Sequence, residues 1–287
     1  MKREERVGVF LETVSICQNK KYLDSKGNTV MLPSVVGPSK FYETRITETF
    51  KKSSKKADIK VENLDSLIAA KNLIDNGFKP AVLNMANSKM PCGGVLRGSG
   101  AQEENISRRS NLFQSLYRYH NIGNDFGVDQ TERHNNPKLQ YPMDKNFGGI
   151  YSKNVVVFRN SEDKSYSLLD EPYFVDVISV AAIREPELDK DGHFTDKVKA
   201  IEKNKIRTIF NIALENGNDS IVLGAFGCGA FKTPPKEMAK LFHEIIEEEE
   251  YAYKFKVITF AIIESNSNYE AHNPEGNLKP FVDEFAN

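Results

Sequence analysis

Residues 81–112, AVLNMANSKMPCGGVLRGSGAQEENISRRSNL, decide how this chain is read. The apolar run Ala81-Val82-Leu83, continued by Asn84-Met85-Ala86 and preceded by Pro80, predicts a short buried strand. Past Asn87 comes a glycine-rich loop carrying Gly93, Gly94, Gly98 and Gly100. A helix is expected from Ala101, with Gln102, Glu103 and Glu104 in its first turn and Ile106, Leu112, Phe113 and Leu116 as its buried stripe. Strand, glycine loop and helix start, in that order, have a chemical use. A helix N-terminus exposes unpaired N–H groups and the positive end of its dipole, and glycines let a phosphate or diphosphate approach the backbone closely.

The same arrangement recurs downstream. SIVLGA at 220–225 reads as a buried strand, GAFGCGAF at 224–231 as a second glycine loop, and Pro234-Pro235 as the start of another helix. Two such loops at strand ends could grip one diphosphate from both sides.

Between and around these loops, strand and helix patterns alternate. Val7, Phe10, Leu11, Val14 and Cys17 predict an amphipathic first helix ending near Asn19, and Gly27-Asn28 a turn before Thr29–Leu32. Tyr42–Ile46 reads as a strand, the Lys-Ser stretch 51–56 as an exposed loop, and Ile59–Val61 as a strand. Asn63 is expected to cap a helix through Ile74 that Gly77 closes. One continuous helix is expected over 101–119, then a polar surface insertion over 120–148. Ile150–Arg159 reads as a strand, and Tyr173–Ala182 as one buried on both faces. A helix follows over Thr195–Asn216, then the strand Val257–Ile263 and a short helix after Pro280. The pattern predicts a three-layer α/β/α fold with a mixed, largely parallel sheet and ligand contacts at the strand C-terminal ends. No linker composition interrupts it, so residues 1–287 are read as one domain, with 1–60 an N-terminal helical extension and 61–287 the core.

Lys plus Arg number 39 against 40 Asp plus Glu, so there is no global basic field to hold nucleic acid by its phosphates. Three cysteines, Cys17, Cys92 and Cys228, are an odd number at wide spacing and point to a reducing compartment rather than a disulfide framework. None pairs with a histidine at metal-ligand spacing, so no metal and no cofactor is implied. The N-terminus has no apolar signal region and no stretch approaches a membrane span. A cytoplasmic protein is expected, whose oligomeric state cannot be read from the sequence.

Asn84-x-Ala86-Asn87, a glycine turn and then Gly-Ser-Gly-Ala-Gln-Glu-Glu together resemble the macrodomain superfamily, and more narrowly the microbial-type poly(ADP-ribose) glycohydrolases. Their signature is a glycine triplet followed six to eight residues later by Gln-Glu-Glu. Here Cys92-Gly93-Gly94 holds the triplet position and seven residues separate it from Gln102-Glu103-Glu104. The resemblance implies that Glu104 is the catalytic acid and that Glu103 positions the ribose beside it. It implies that Asn87 bonds the distal ribose, that Gly93, Gly94 and Val95 offer backbone amides to the diphosphate, and that Cys92 and Gln102 also belong to the ADP-ribose site. Gly227, Cys228, Gly229 and Ala230 would close over the diphosphate, and Phe231 would pack against the ribose. Phe260–Asn268 would supply part of an adenine pocket.

The chemistry suits these residues. Cleavage at an anomeric carbon passes through an oxocarbenium-like state that needs an acid for the leaving group and then a base for water, and one carboxyl can serve in turn as both. The leaving group stays open: a ribose of the polymer, or an arginine, glutamate or serine side chain of a mono-ADP-ribosylated protein. A binding module that reads ADP-ribose without chemistry is the alternative, which would need the cradle but not two carboxylates. Cys92 departs from the glycine triplet, and at positive φ a side chain there costs about 1 kcal/mol.

Overall fold

The computed structural model describes residues 1–33, 37–48, 50, 55–264 and 270–286. In chain order the elements are α1 (Arg3–Asn19), β1 (Lys21–Leu23), β2 (Thr29–Met31), β3 (Ser39–Tyr42), β4 (Asp58–Glu62), α2 (Ser66–Asp75), β5 (Pro80–Met85), α3 (Gln102–Arg109) and α4 (Leu112–Leu116). There follow α5 (Thr131–Asn135), β6 (Gly149–Arg159), β7 (Leu168–Val180), α6 (Asp196–Glu215), β8 (Ser220–Leu223), α7 (Pro235–Ile246), β9 (Val257–Ala261) and α8 (Leu278–Phe285). Seven of these strands make the mixed, mostly parallel sheet of an α/β fold, as expected. Residues 51–54 of the expected Lys-Ser loop and 265–268 of the expected adenine segment lie outside the described residues.

The chain divides into two compact units, each assembled from three separate segments. The first comprises Met1–Tyr42, Ala86–Met143 and Ile150–Ser179. In it β6 and β7 pair antiparallel, with Ile150 opposite Ser179 and Val156 opposite Phe174. Its core is aromatic: the Phe10 ring of α1 meets Phe113 edge-on at 5.8 Å, and Phe113 meets Tyr117 at 5.7 Å. Each such ring fully buried contributes about 1.5–3 kcal/mol.

The second unit comprises Glu43–Met85, Asp144–Gly149 and Val180–Asn287. Its strands run β5-β8-β9-β4 with every pair parallel. Strands β5, β8 and β9 are buried almost throughout, the pattern required when helices cover both faces of parallel strands. The inward stripe of α6, with Ile206, Ile209, Phe210 and Ala213 fully buried, is the one its 3.6-residue period predicts.

Several boundaries differ from expectation for identifiable reasons. Leu11 of α1 is exposed rather than part of the buried stripe, and the strand expected over Tyr42–Ile46 ends at Tyr42. Asp65, not Asn63, caps α2, because its Oδ1 reaches the amides of Leu67 (3.0 Å) and Ile68 (3.1 Å) while Asn63 accepts from Glu264 N at 3.0 Å. The expected helix over 101–119 is broken at Ser110, whose backbone is extended and bridges to Val157. Asn111 Oδ1 takes the Val156 amide at 2.8 Å, and this side-chain bond to a neighbouring strand competes with helix continuation. The N-terminal half of β7 is not buried on both faces, since Phe174 stands exposed.

Candidate active site

In the first unit the loop after β5 is shaped by its own side chains. Asn87 Oδ1 accepts the amides of Lys89 (2.9 Å) and Met90 (3.1 Å), an Asx turn that reverses the chain. Cys92 follows at φ +60° and Gly93 at φ +54°, two consecutive left-handed residues. Cys92 therefore occupies the conformation a glycine would take, with its side chain fully buried. Burial, reinforced by the Glu103 carboxylate, pushes the Cys92 thiol well above its ordinary value, so it is no thiolate nucleophile at neutral pH.

The first turn of α3 folds its carboxylates back over this loop. Glu103 Oε2 accepts the Asn87 amide at 2.8 Å, and Glu104 Oε1 accepts the Gly94 amide at 2.7 Å. Both side chains are buried, 4% and 7% exposed. A Cβ on Gly93 would lie 2.5 Å from Glu104 Oε1 and 2.9 Å from Glu103 Oε2, so the two carboxylates converge on the bare α-carbon of that residue. Glu104 Oε2 is buried and has no hydrogen-bond partner among the described residues. A carboxylate oxygen in that situation costs free energy unless something else engages it.

The triplet amides do something other than expected. Gly93 N donates to Met90 O (3.1 Å), Gly94 N to Glu104 and Val95 N to Cys92 O (3.2 Å), so these three N–H groups fix the loop instead of pointing outward at an anion.

What sequence reading missed is how the far end of the loop is anchored. Arg108 is fully buried; its Nε donates to Arg6 O at 3.0 Å, its Nη2 donates to Ser99 O, and its guanidinium lies 5.9 Å from the Tyr166 ring. Gly98 and Gly100 are packed so closely on α1 that a Cβ would meet Arg3 O at 2.3 Å and Arg6 Nη1 at 2.5 Å. The only sequence signal was an Arg-Arg pair on the stripe of an otherwise polar helix. Arg108→Ala removes the guanidinium bonds to the Arg6 and Ser99 carbonyls and empties a buried volume, and is expected to destabilise by about 3 kcal/mol. Urea unfolding should show it as a lowered midpoint at constant slope.

In the second unit the loop after β8 has the opposite character. Gly227 at φ +78° admits Thr233 Oγ1 and Ala182 Cβ to within 2.5 and 2.9 Å of where its own Cβ would stand. Thr233 N returns to Gly227 O (3.0 Å) and Lys232 N to Gly229 O (2.9 Å), closing the turn before α7. His272 Nε2 donates to Cys228 O at 2.8 Å. Cys228 is fully buried, and burial, then the Glu202 carboxylate, raises its thiol well above the ordinary value. Gly229 and Ala230 are exposed and Phe231 half-buried. The amides of these three consecutive residues donate no backbone hydrogen bond among the described residues.

Among the described residues no group of three or more His, Cys, Asp or Glu side chains could hold a metal ion, and no helix is long and apolar enough to cross a membrane.

A family model described as microbial-type PARG, catalytic domain, matches residues 11–160. No curated protein matches the chain. Among solved structures, a poly(ADP-ribose) glycohydrolase from Thermomonospora curvata is 24% identical, with a TM-score of 0.76 and coverage of 98% of this chain and 100% of that one. The same enzyme bound to the inhibitor ADP-HPD gives 24% identity, a TM-score of 0.75 and the same coverage. A poly(ADP-ribose) glycohydrolase from Deinococcus radiodurans in complex with ADP-ribose is 26% identical, with a TM-score of 0.62, covering 82% of this chain and 86% of that one.

Proposed function

This chain belongs to the microbial-type PARG catalytic-domain family and is a glycohydrolase, and from that premise we propose that it releases ADP-ribose from poly(ADP-ribose) by cleaving at the anomeric carbon of the distal ribose. One observation carries the reading: Glu104 is held by the Gly94 amide through Oε1, while its buried Oε2 has no partner among the described residues. An oxygen so disposed is suited to give a proton to the departing glycosidic oxygen. As the C1″–O bond breaks, charge builds on the ribose; the resulting carboxylate then takes a proton from water as the water oxygen bonds to C1″. Atoms balance with water as the only co-reactant. A module that merely reads ADP-ribose has no use for a buried oxygen without a partner at that place, which favours the enzyme.

Glu103 is proposed as the second catalytic-site carboxylate, orienting the ribose while its Oε2 holds the Asn87 amide. Asn87, Cys92, Gly93, Gly94, Val95 and Gln102 are proposed to form the ribose end of the ADP-ribose site. Gly227, Cys228, Gly229, Ala230 and Phe231 are proposed to bind the diphosphate and its ribose, supported by the three amides of that loop that donate no backbone hydrogen bond among the described residues. We further propose that residues 1–287 form one catalytic domain, with 1–60 as its extension, because each unit draws on three separated segments and neither corresponds to a continuous stretch of chain. Three free, buried thiols support a reducing, cytoplasmic setting.

The side chain of Cys92 points into the unit's core beside Ser107 and Tyr117, so its presence leaves the loop shaped as a glycine would and favours the polymer as substrate. Incubating the protein separately with poly(ADP-ribose) and with arginine-, glutamate- or serine-linked mono-ADP-ribosylated protein, and measuring free ADP-ribose, tests this. Release from the polymer is the expected result. Release only from one of the modified proteins would transfer the activity to that linkage, and tight ADP-ribose binding without release from any of them would make the protein a reader.

A further inference from the structure

The second unit contains two buried, oppositely charged side chains that the proposed chemistry does not use. Glu202 and Lys205 lie on the inner face of α6, fully buried and 5% exposed. Both reach the same short backbone segment after β7: Glu202 Oε1 accepts the Ile183 amide at 2.7 Å, and Lys205 Nζ donates to Ala181 O at 2.6 Å. The residue between these anchors, Ala182, is one that Gly227 is packed against. Two residues further on, Glu185 N donates to Phe231 O at 2.7 Å. The segment 181–185 is therefore the floor of the second glycine loop, touching it at Gly227 and at its last residue, Phe231. Burying two ionised groups is costly, and substitution by apolar residues of similar volume is often neutral for stability, so stability alone is a weak reason to keep such a pair.

We propose that Glu202 and Lys205 are positioning residues which, by gripping Ile183 and Ala181, hold the floor of the second glycine loop, so that affinity for the ADP-ribosyl diphosphate depends on them while bond cleavage does not. The inference rests on the assignment of that loop to the diphosphate. Glu202 Oε2 has no hydrogen-bond partner among the described residues, so nothing else restrains the side chain at that end. Burial, opposed by the Ile183 amide and then by Lys205, raises the Glu202 carboxyl to about 7. Burial lowers Lys205, against the pull of Glu202 and Asp144. The buried Cys228 thiol is the group of the loop that feels Glu202, and His272 approaches that loop at the Cys228 carbonyl. With its titration raised to that range, Glu202 is fully ionised only above it. As pH falls through neutrality the carboxylate is protonated, its attraction for Lys205 is lost, and the grip on the floor loosens. The diphosphate of ADP-ribose has no terminal phosphate to titrate in the same window.

The test uses the full chain, with ADP-ribose as the probe and polymer as the substrate. Glu202→Leu and Lys205→Met should each weaken ADP-ribose binding about tenfold, a change of roughly 1.4 kcal/mol, and leave kcat at saturating polymer within about twofold. Glu202→Gln keeps a carbonyl for the Ile183 amide but not the charge that attracts Lys205, and should bind at pH 8 about as weakly as the native chain does at pH 6. It should also lack the native weakening, about threefold, between pH 8 and pH 6; His272 is common to both proteins and cancels in that comparison. Unchanged affinity in Glu202→Leu, or a Glu202→Gln curve that follows the native one, overturns the proposal. Protection of the amides of Gly227–Thr233 against hydrogen exchange, without any ligand and with the intrinsic pH dependence of exchange divided out, should fall about tenfold in Glu202→Leu, or should fall as pH is lowered in the native chain alone if that variant does not fold. Unchanged exchange also overturns it. Quickened exchange in a native protein that binds no ADP-ribose would keep the device and reject the ligand assigned to the loop.

Discussion

Glu104→Gln is expected to abolish release of ADP-ribose while leaving ADP-ribose bound. The carboxamide is nearly isosteric, and its carbonyl can still accept the Gly94 amide that holds Oε1 at 2.7 Å, so the loop keeps its shape. What disappears is a proton at the second oxygen. An amide nitrogen there neither gives a proton to a leaving group nor takes one from water, and a single acid or base of this kind contributes about 10²–10⁴-fold to rate. Because the same carboxyl is asked to serve in both half-steps, the loss should lie toward or beyond the upper end of that range. Calorimetric titration with ADP-ribose should give a Kd within a few-fold of native, and the unfolding midpoint should move little. Native turnover in this variant would remove Glu104 from the chemistry and leave its buried, unengaged oxygen without an account.

The elements that were legible in the sequence are those whose signals are local. Alternating apolar strands and glycine-punctuated helix starts placed β5, β8, β9, α6 and α7 within a few residues. Expectation failed where a partner distant in sequence decides the local structure. Nothing in residues 101–119 shows that Val156 will compete for Asn111 and break the helix, and Asn63 is as good a cap by composition as Asp65 until Glu264 claims it. The site divides the same way. Gln102-Glu103-Glu104 and the two glycine loops were visible as motifs. The inward direction of the triplet amides, the Arg108 anchor and the Glu202–Lys205 floor depend on contacts with residues outside each motif, among them Arg6 and the segment Ala181–Ile183. The cost attached to a side chain at Cys92 was foreseeable from its place in the triplet, and its burial suits the small packing residue that a cysteine most often is.

Gly93→Ala should also damage the site severely, though less than removal of its acid, by a different route. At φ +54° an alanine carries a backbone penalty of about 1 kcal/mol. The larger effect is steric, because the new methyl would stand 2.5 Å from Glu104 Oε1 and 2.9 Å from Glu103 Oε2, closer than any real contact allows. The backbone cannot simply turn away, since the neighbouring residues Cys92, Gly94 and Val95 are buried and the loop amides are committed to Met90, Glu104 and Cys92. Both carboxylates must therefore swing off their amide donors, and displacement of a reacting group by about 1 Å costs on the order of 100-fold in rate. With two displaced, polymer turnover should fall by about 10²–10³-fold, with a stability loss of about 2–3 kcal/mol from the strain and the two vacated amides. Cys92→Gly is the matched control: it relieves a left-handed residue, keeps the backbone the site uses, removes only a thiol buried beside Ser107 and Tyr117, and should hold turnover within a few-fold of native. The contrast between adjacent positions separates a general intolerance of the loop from the specific claim that Gly93 is bare so that two carboxylates can meet over it. Equal losses in both variants, or a Gly93→Ala enzyme that turns over normally, would show that the carboxylates do not need that space.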